Sequence, residues 1–126
     1  MSTSTTPDST DLLGSWTFEQ VRDRPVIDRS PAHIVFDADG TVAGSASCNR
    51  MTGSYTVEGG TLTLSPLAVT RRMCTVEALM EQESRVLSAL EDVAGWRMER
   101  GLLILVDADG QLLFRAGRQA EAGEEG

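Results

Sequence analysis

Lysine is absent from this 126-residue chain, and its eleven basic residues, all arginine, are scattered rather than clustered. Nineteen acidic residues leave a formal net charge of -8. A phosphate backbone is met by grouped cations that displace counterions, so this distribution argues against general nucleic-acid binding. No apolar run approaches the roughly 18 residues of a membrane-spanning helix, so no transmembrane segment is expected. The N-terminal residues lack the charged start and apolar middle of a signal peptide. The expected location is cytoplasmic as the chain is written, or periplasmic or in the cell envelope if an export segment has been removed. Histidine occurs once, at His33, and cysteine twice, at Cys48 and Cys74. Two cysteines are too few for a disulfide scaffold, and they lack the CxxC spacing of zinc or thioredoxin-like chemistry. Neither a metal nor a cofactor is expected.

What the chain does have is enough apolar sequence for one modest core. Its two ends differ from its middle. Residues 1–11 begin with a Ser- and Thr-rich stretch and residues 117–126 are dominated by Gly, Ala, Gln and Glu. Both are expected to be disordered tails, the second acidic, around a domain at residues 12–116.

Within that domain the dominant period is two. Trp16 and Phe18 alternate with Thr17 and Glu19, and His33 to Phe36 precedes the turn Asp37-Ala38-Asp39-Gly40. Thr41 to Cys48 then places Val42, Gly44, Ala46 and Cys48 on one face. A second hairpin joins Ser54–Val57 to Thr61–Leu64 through Glu58-Gly59-Gly60, where the glycine pair supplies positive backbone angles. The period changes between Val76 and Leu90, with Val76, Leu79, Met80, Val86, Leu87 and Leu90 at helical spacing, Thr75 as an N-cap and Gly95 as a stop. Three further strand-like runs follow, at Trp96–Arg100, Leu102–Val106 and Gln111–Ala116. About eight short strands joined by tight turns predict a mainly β (α+β) fold: a strongly curved or barrel-like antiparallel sheet, with one helix inserted between the fifth and sixth strands. Asp-Ala-Asp-Gly recurs at Asp107 to Gly110, but alignment on a calcium loop leaves its first position apolar and its twelfth without glutamate. Hairpin turns are the expected role of both copies.

The most distinctive stretch runs from Gly44 through Cys48, Asn49, Gly53 and Tyr55, followed by Pro66, Thr70 and Cys74 and by a helix carrying Glu83. This G-x-x-x-C-N-x-x-x-G-x-Y run with a later P-x-x-x-T-x-x-x-C run resembles the META-domain (HslJ-type) family. Leu13-Gly14-Ser15-Trp16 and the closing Leu102 to Phe114 hairpin extend the likeness over residues 12–116. The resemblance implies a small bacterial β domain with a helix, linked to stress, and it brings no catalytic residues with it. Cys48, Asn49, Gly53, Tyr55, Thr70, Cys74 and Glu83 are its structural-motif positions.

Cysteine catalysis would need a base beside a thiolate, and His33 is the only imidazole. Cys48 shares its face with Val42 and Ala46, which points to a buried, unreactive thiol. Asn49 suits a turn, since it tolerates left-handed backbone and bonds to its own loop. Glu83 falls between Met80 and Leu87 on the face the helix must bury. An unpaired carboxylate there would cost several kcal/mol, so Glu83 needs Arg71, Arg72 or the backbone around Asn49 as a partner. Cys48 and Cys74 close motif segments that a docked helix would bring together. Two alternatives stand for them: a disulfide in an oxidising compartment, or two reduced thiols packed as small apolar residues. The expected function is a non-catalytic, stress-related accessory or binding domain with an unknown protein partner. The rivals are a lipocalin-like carrier of a small apolar ligand and a cysteine-dependent enzyme or redox switch.

Overall fold

A computed structural model describes residues 9–26, 32–70 and 76–118. Alternating apolar residues lay down the long strands, beginning with β1 (Gly14–Val21), in which Trp16, Phe18 and Val21 are buried. The chain continues through β2 (Arg24–Pro25), β3 (His33–Phe36), β4 (Thr41–Ser45), β5 (Arg50–Glu58), β6 (Thr61–Leu64) and β7 (Ala68–Val69). The helix α1 (Glu77–Glu91) follows, and then β8 (Gly95–Glu99), β9 (Leu102–Val106) and β10 (Leu112–Arg118). The sheet is antiparallel throughout, in the order β10-β9-β8-β6-β5-β4-β3-β1-β2, with β7 alongside β5. Pairing of β10 with β1, from Trp16 opposite Arg118 to Val21 opposite Phe114, makes it a ring. Closing a curled sheet in this way removes two exposed edges. The loosest joint lies between β6 and β8, whose ladder is the single pair Thr61 and Gly95.

Among the described residues the sheet therefore has ten strands rather than about eight, and the helix lies between the seventh and eighth rather than the fifth and sixth. The added strands, β2 and β7, are two residues long. A two-residue strand is too short to show alternation, and only the neighbouring backbone defines it. The structure also extends past the expected domain ends. Ser9–Leu12 forms a 3-10 helix, and Gly117 and Arg118 belong to β10. Arg118 closes the ends onto each other, its guanidinium donating to the Leu13 and Asp11 carbonyls and lying 4.1 Å from the Trp16 ring centroid.

Both Asp-Ala-Asp-Gly segments are hairpin turns of the same construction. Asp37 N–H donates to Thr41 O (3.0 Å) and Gly40 N–H to Asp37 O (3.1 Å), while Asp107 and Gly110 repeat this with Gln111 and Asp107 at 3.0 and 2.9 Å. Gly40 and Gly110 supply the positive φ, 91° and 85°, that such turns require.

The buried side chains of the core include Trp16, Phe18, Phe36, Leu62, Leu103, Leu105, Leu113 and Phe114 from the strands and Val86, Ala89 and Leu90 from α1. Phe18 and Phe114 stack across the closing seam with centroids 4.2 Å apart. The helix is rotated from its expected orientation. Its buried residues are Gln82, Val86, Ala89 and Leu90, whereas Val76 is 51% and Met80 45% exposed. The expected cap, Thr75, lies outside the described residues; the N-cap position is Val76, without a side-chain cap bond, and the C-cap is Asp92. Gly95 is not the stop but the first residue of β8.

Candidate functional site

The β4–β5 connection is where the distinctive motif folds. Strand β4 ends at Ser45, and Ser47 adopts a φ of 146°, a conformation uncommon for a residue with a Cβ. The alternation that would have placed Cys48 on the Val42 face is broken there, and Cys48 is half-buried rather than buried. The loop is closed by Ala46 N–H donating to Asn49 O (2.9 Å).

Two backbone N–H groups on this loop are met by the helix. Those of Cys48 and Asn49 both donate to Glu83 Oε1 at 2.8 Å. The second oxygen, Oε2, accepts Asn49 Nδ2 at 2.6 Å. Asn49, 5% exposed, uses its other end as well, its Oδ1 accepting Thr70 Oγ1 at 2.9 Å. Thr70 in turn accepts Arg50 N–H on Oγ1 and donates its own N–H to Arg50 O, both at 3.0 Å. Gln82, one residue before the clamp, donates to Ser47 Oγ at 3.2 Å. The partner of Glu83 is thus the backbone around Asn49; Arg71 and Arg72, the other candidates, lie outside the described residues. Sequence reasoning passed over Gln82 and Ser47, and the signal was a polar residue at helical spacing from Val86 and Ala89.

Cys48 is disulfide-bonded and so has no titrating thiol. Cys74, the only other cysteine in the sequence, lies outside the described residues. Gly53 is inside β5, where Met51, Thr52 and Gly53 pair with β4. A Cβ at Gly53 would sit 2.6 Å from Leu67 Cδ2 and 2.9 Å from Ser65 Oγ, so the glycine lets the β6–β7 connection lie against the strand. Tyr55 packs its ring edge-on to Phe36 and donates Oη to Asp37 O at 2.6 Å, bracing the first Asp-Ala-Asp-Gly turn. Burial, and then the nearby Asp37 and Asp39 carboxylates, raise its phenol above the ordinary value.

The outer face of β3, β4 and β5 forms a cleft of about 500 Å³, whose lining includes His33, Val35, Ala43, Ser45, Arg50 and Thr52, with Cys48 and Thr70 on its wall. His33 is held below its ordinary pKa, first by burial and then by the Arg50 guanidinium. His33 and Cys48 thus share a cleft, but the sulfur is already bonded.

A closed ring of antiparallel strands, with one helix fastened to a Cys-Asn loop by a carboxylate, defines a small β domain organised around that clamp. The chain belongs to the META domain family, which it matches over residues 10–120. It is 31% identical over 101 residues to Heat shock protein HslJ of Escherichia coli (strain K12), covering 79% of this chain and 71% of that protein. Its fold is similar to the solution structure of a protein from Burkholderia xenovorans, with a TM-score of 0.68, 25% identity, and coverage of 96% and 97% of the two chains. A DUF4847-family protein from Bacteroides vulgatus ATCC 8482 shares the fold at a TM-score of 0.62 and 14% identity, over 90% of this chain and 97% of its own.

Proposed function

We propose that this protein is a non-catalytic accessory or binding domain of the stress response, working in an oxidising compartment such as the periplasm or cell envelope. The observation that carries the reading is the use made of the motif's polar groups. Glu83, Asn49 and Thr70 spend their side-chain atoms on one another and on the backbone N–H groups of Cys48, Asn49 and Arg50. A general base or nucleophile must exchange protons with a substrate, and these groups are committed to holding a loop. The stress association rests on membership of the family and on the name of the E. coli relative. The compartment is supported by the disulfide-bonded Cys48, since such bonds persist where thiols are not kept reduced. An apolar ligand enclosed by the ring is the weaker reading, because Trp16, Phe18, Phe36, Leu62 and Phe114 are fully buried and belong to one packed core cluster.

Complementation tests this reading. A deletion strain challenged with heat and with envelope stress should lose viability, and both the wild-type gene and Glu83→Gln should restore it, because glutamine preserves an acceptor for the loop but cannot serve as a base. A Glu83→Gln protein that is folded at the assay temperature yet fails to complement would overturn the non-catalytic reading. An unaffected deletion strain would overturn the link to stress.

A further inference from the structure

Strand register places two cross-strand rows on the outer face of the sheet. His33 pairs with Ser45 and Ser45 with Arg50, so imidazole, hydroxyl and guanidinium stand side by side on β3, β4 and β5. The adjacent row is Val35, Ala43 and Thr52, paired in the same manner. With strands about 4.8 Å apart, each row is roughly 10 Å long. The cleft of about 500 Å³ lies over both rows, a volume within the usual range for small-molecule sites. We propose that this cleft is a binding site for a small organic carboxylate, its anionic head against the His33–Ser45–Arg50 row and its short apolar body on Val35 and Ala43.

Three features carry this assignment. Arg50 has no ion-pair partner among the described residues, although the chain has nineteen acidic side chains and a net charge of -8. An arginine without a carboxylate partner among the described residues presents a planar fork that matches a carboxylate in two hydrogen bonds. The floor is mixed, since Val35 and Ala43 are half-buried apolar side chains beside the polar row. This favours an anion with a hydrocarbon body over inorganic phosphate. The wall is also rigidly placed: Thr70 is tied to Arg50 through both backbone groups of that residue, so the strand carrying the guanidinium is positioned by the same network that clamps the helix. The inference deepens the binding reading above and rests on it for its biological use, but its test addresses the cleft alone and does not depend on any stress phenotype.

The probes are hexanoate, hexan-1-ol and inorganic phosphate, titrated separately into the full-length protein while amide and imidazole NMR signals are followed. His33 is the sole histidine, so its ring resonances need no sorting. Hexanoate should give saturable shifts concentrated at His33, Ser45 and Arg50, and the His33 pKa should rise on saturation because the bound anion offsets the Arg50 charge. Arg50→Gln should weaken hexanoate binding roughly tenfold or more. His33→Gln should also weaken it, a second variant that keeps the test decisive if the first does not fold. Absence of a saturable shift with hexanoate would overturn the proposal. So would hexanol or phosphate binding as tightly as hexanoate, or unchanged affinity in the folded variants.

Discussion

Glu83 Oε1 lies 2.8 Å from the backbone nitrogens of both Cys48 and Asn49, thirty-five and thirty-four residues away in sequence. One carboxylate oxygen thereby satisfies two adjacent backbone donors of the loop. The helix is fastened to the ring by this contact near its middle and by the Arg22–Asp92 ion pair (2.7 Å) at its C-terminal end. The ion pair is exposed and contributes at most about 1 kcal/mol. The carboxylate clamp is the stronger fastening.

Substitution of Glu83 should therefore follow hydrogen-bonding capacity rather than volume. A burial argument from the sequence alone would rank leucine above alanine. With two backbone N–H groups left unsatisfied in either case, Glu83→Leu and Glu83→Ala should each lose about 2 kcal/mol or more, whereas Glu83→Gln should lose about half as much. Urea denaturation of the three variants measures this. Leucine performing as well as glutamine would show that the clamp adds little.

Glycine substitutions should separate two kinds of crowding. A Cβ on Gly44 would collide with the His33 carbonyl oxygen and come within 3.0 Å of Ile34 Cα, both part of the neighbouring strand's backbone. The obstacles at Gly53 are the ends of the Leu67 and Ser65 side chains. Side-chain ends can swing away and a paired backbone cannot. Gly44→Ala should cost about 3 kcal/mol or prevent folding, and Gly53→Ala about 1 kcal/mol. Thermal melts of the two proteins give the comparison, and equal losses would contradict it.

Cys48 and Cys74 should together leave no reactive thiol in protein unfolded without reductant. If they pair, the bridge closes a loop with a sequence separation of 26, and reduction should lower stability by roughly 3 to 4 kcal/mol. A thiol count near two per chain would refute the pairing and remove the support for an oxidising compartment.

His33 sets a pH dependence whose sign follows from its depressed pKa. Below the ordinary histidine value near 6.5 the unfolded chain takes up a proton that the folded protein resists, so ν is larger in the unfolded state and stability falls as pH drops. The contribution is fully present above about pH 6.5 and is lost as pH falls through the lower folded value. Melting temperature should therefore decline between about pH 7 and 5 by more in the wild type than in His33→Gln. Parallel curves for the two proteins would show that burial and Arg50 do not strain the charged form.

Much of this molecule was legible from local sequence, and the exceptions share a cause. Alternation at Trp16–Phe18 and at His33–Phe36, the two Asp-Ala-Asp-Gly turns and the Glu58–Thr61 hairpin all depend on near neighbours, where period and backbone preference act directly. The out-of-place carboxylate at Glu83 could be recognised as needing a partner, because burial of an unpaired charge is costly wherever it occurs. What the local pattern could not supply was long-range pairing. The strands β2 and β7 exist through the ladders offered by β1 and β5, the ring through β10 meeting β1, and the orientation of α1 through Gln82 reaching Ser47. The cleft likewise depends on register, which brings His33, Ser45 and Arg50 into one row. Sequence by itself determined which segments become the longer strands, their hairpin turns and the helix, because those choices are made by each residue's own backbone and its neighbours within a turn. Only the tertiary structure decided which distant donors meet which acceptors, because a hydrogen bond across thirty-five residues has no local energy until the sheet has closed.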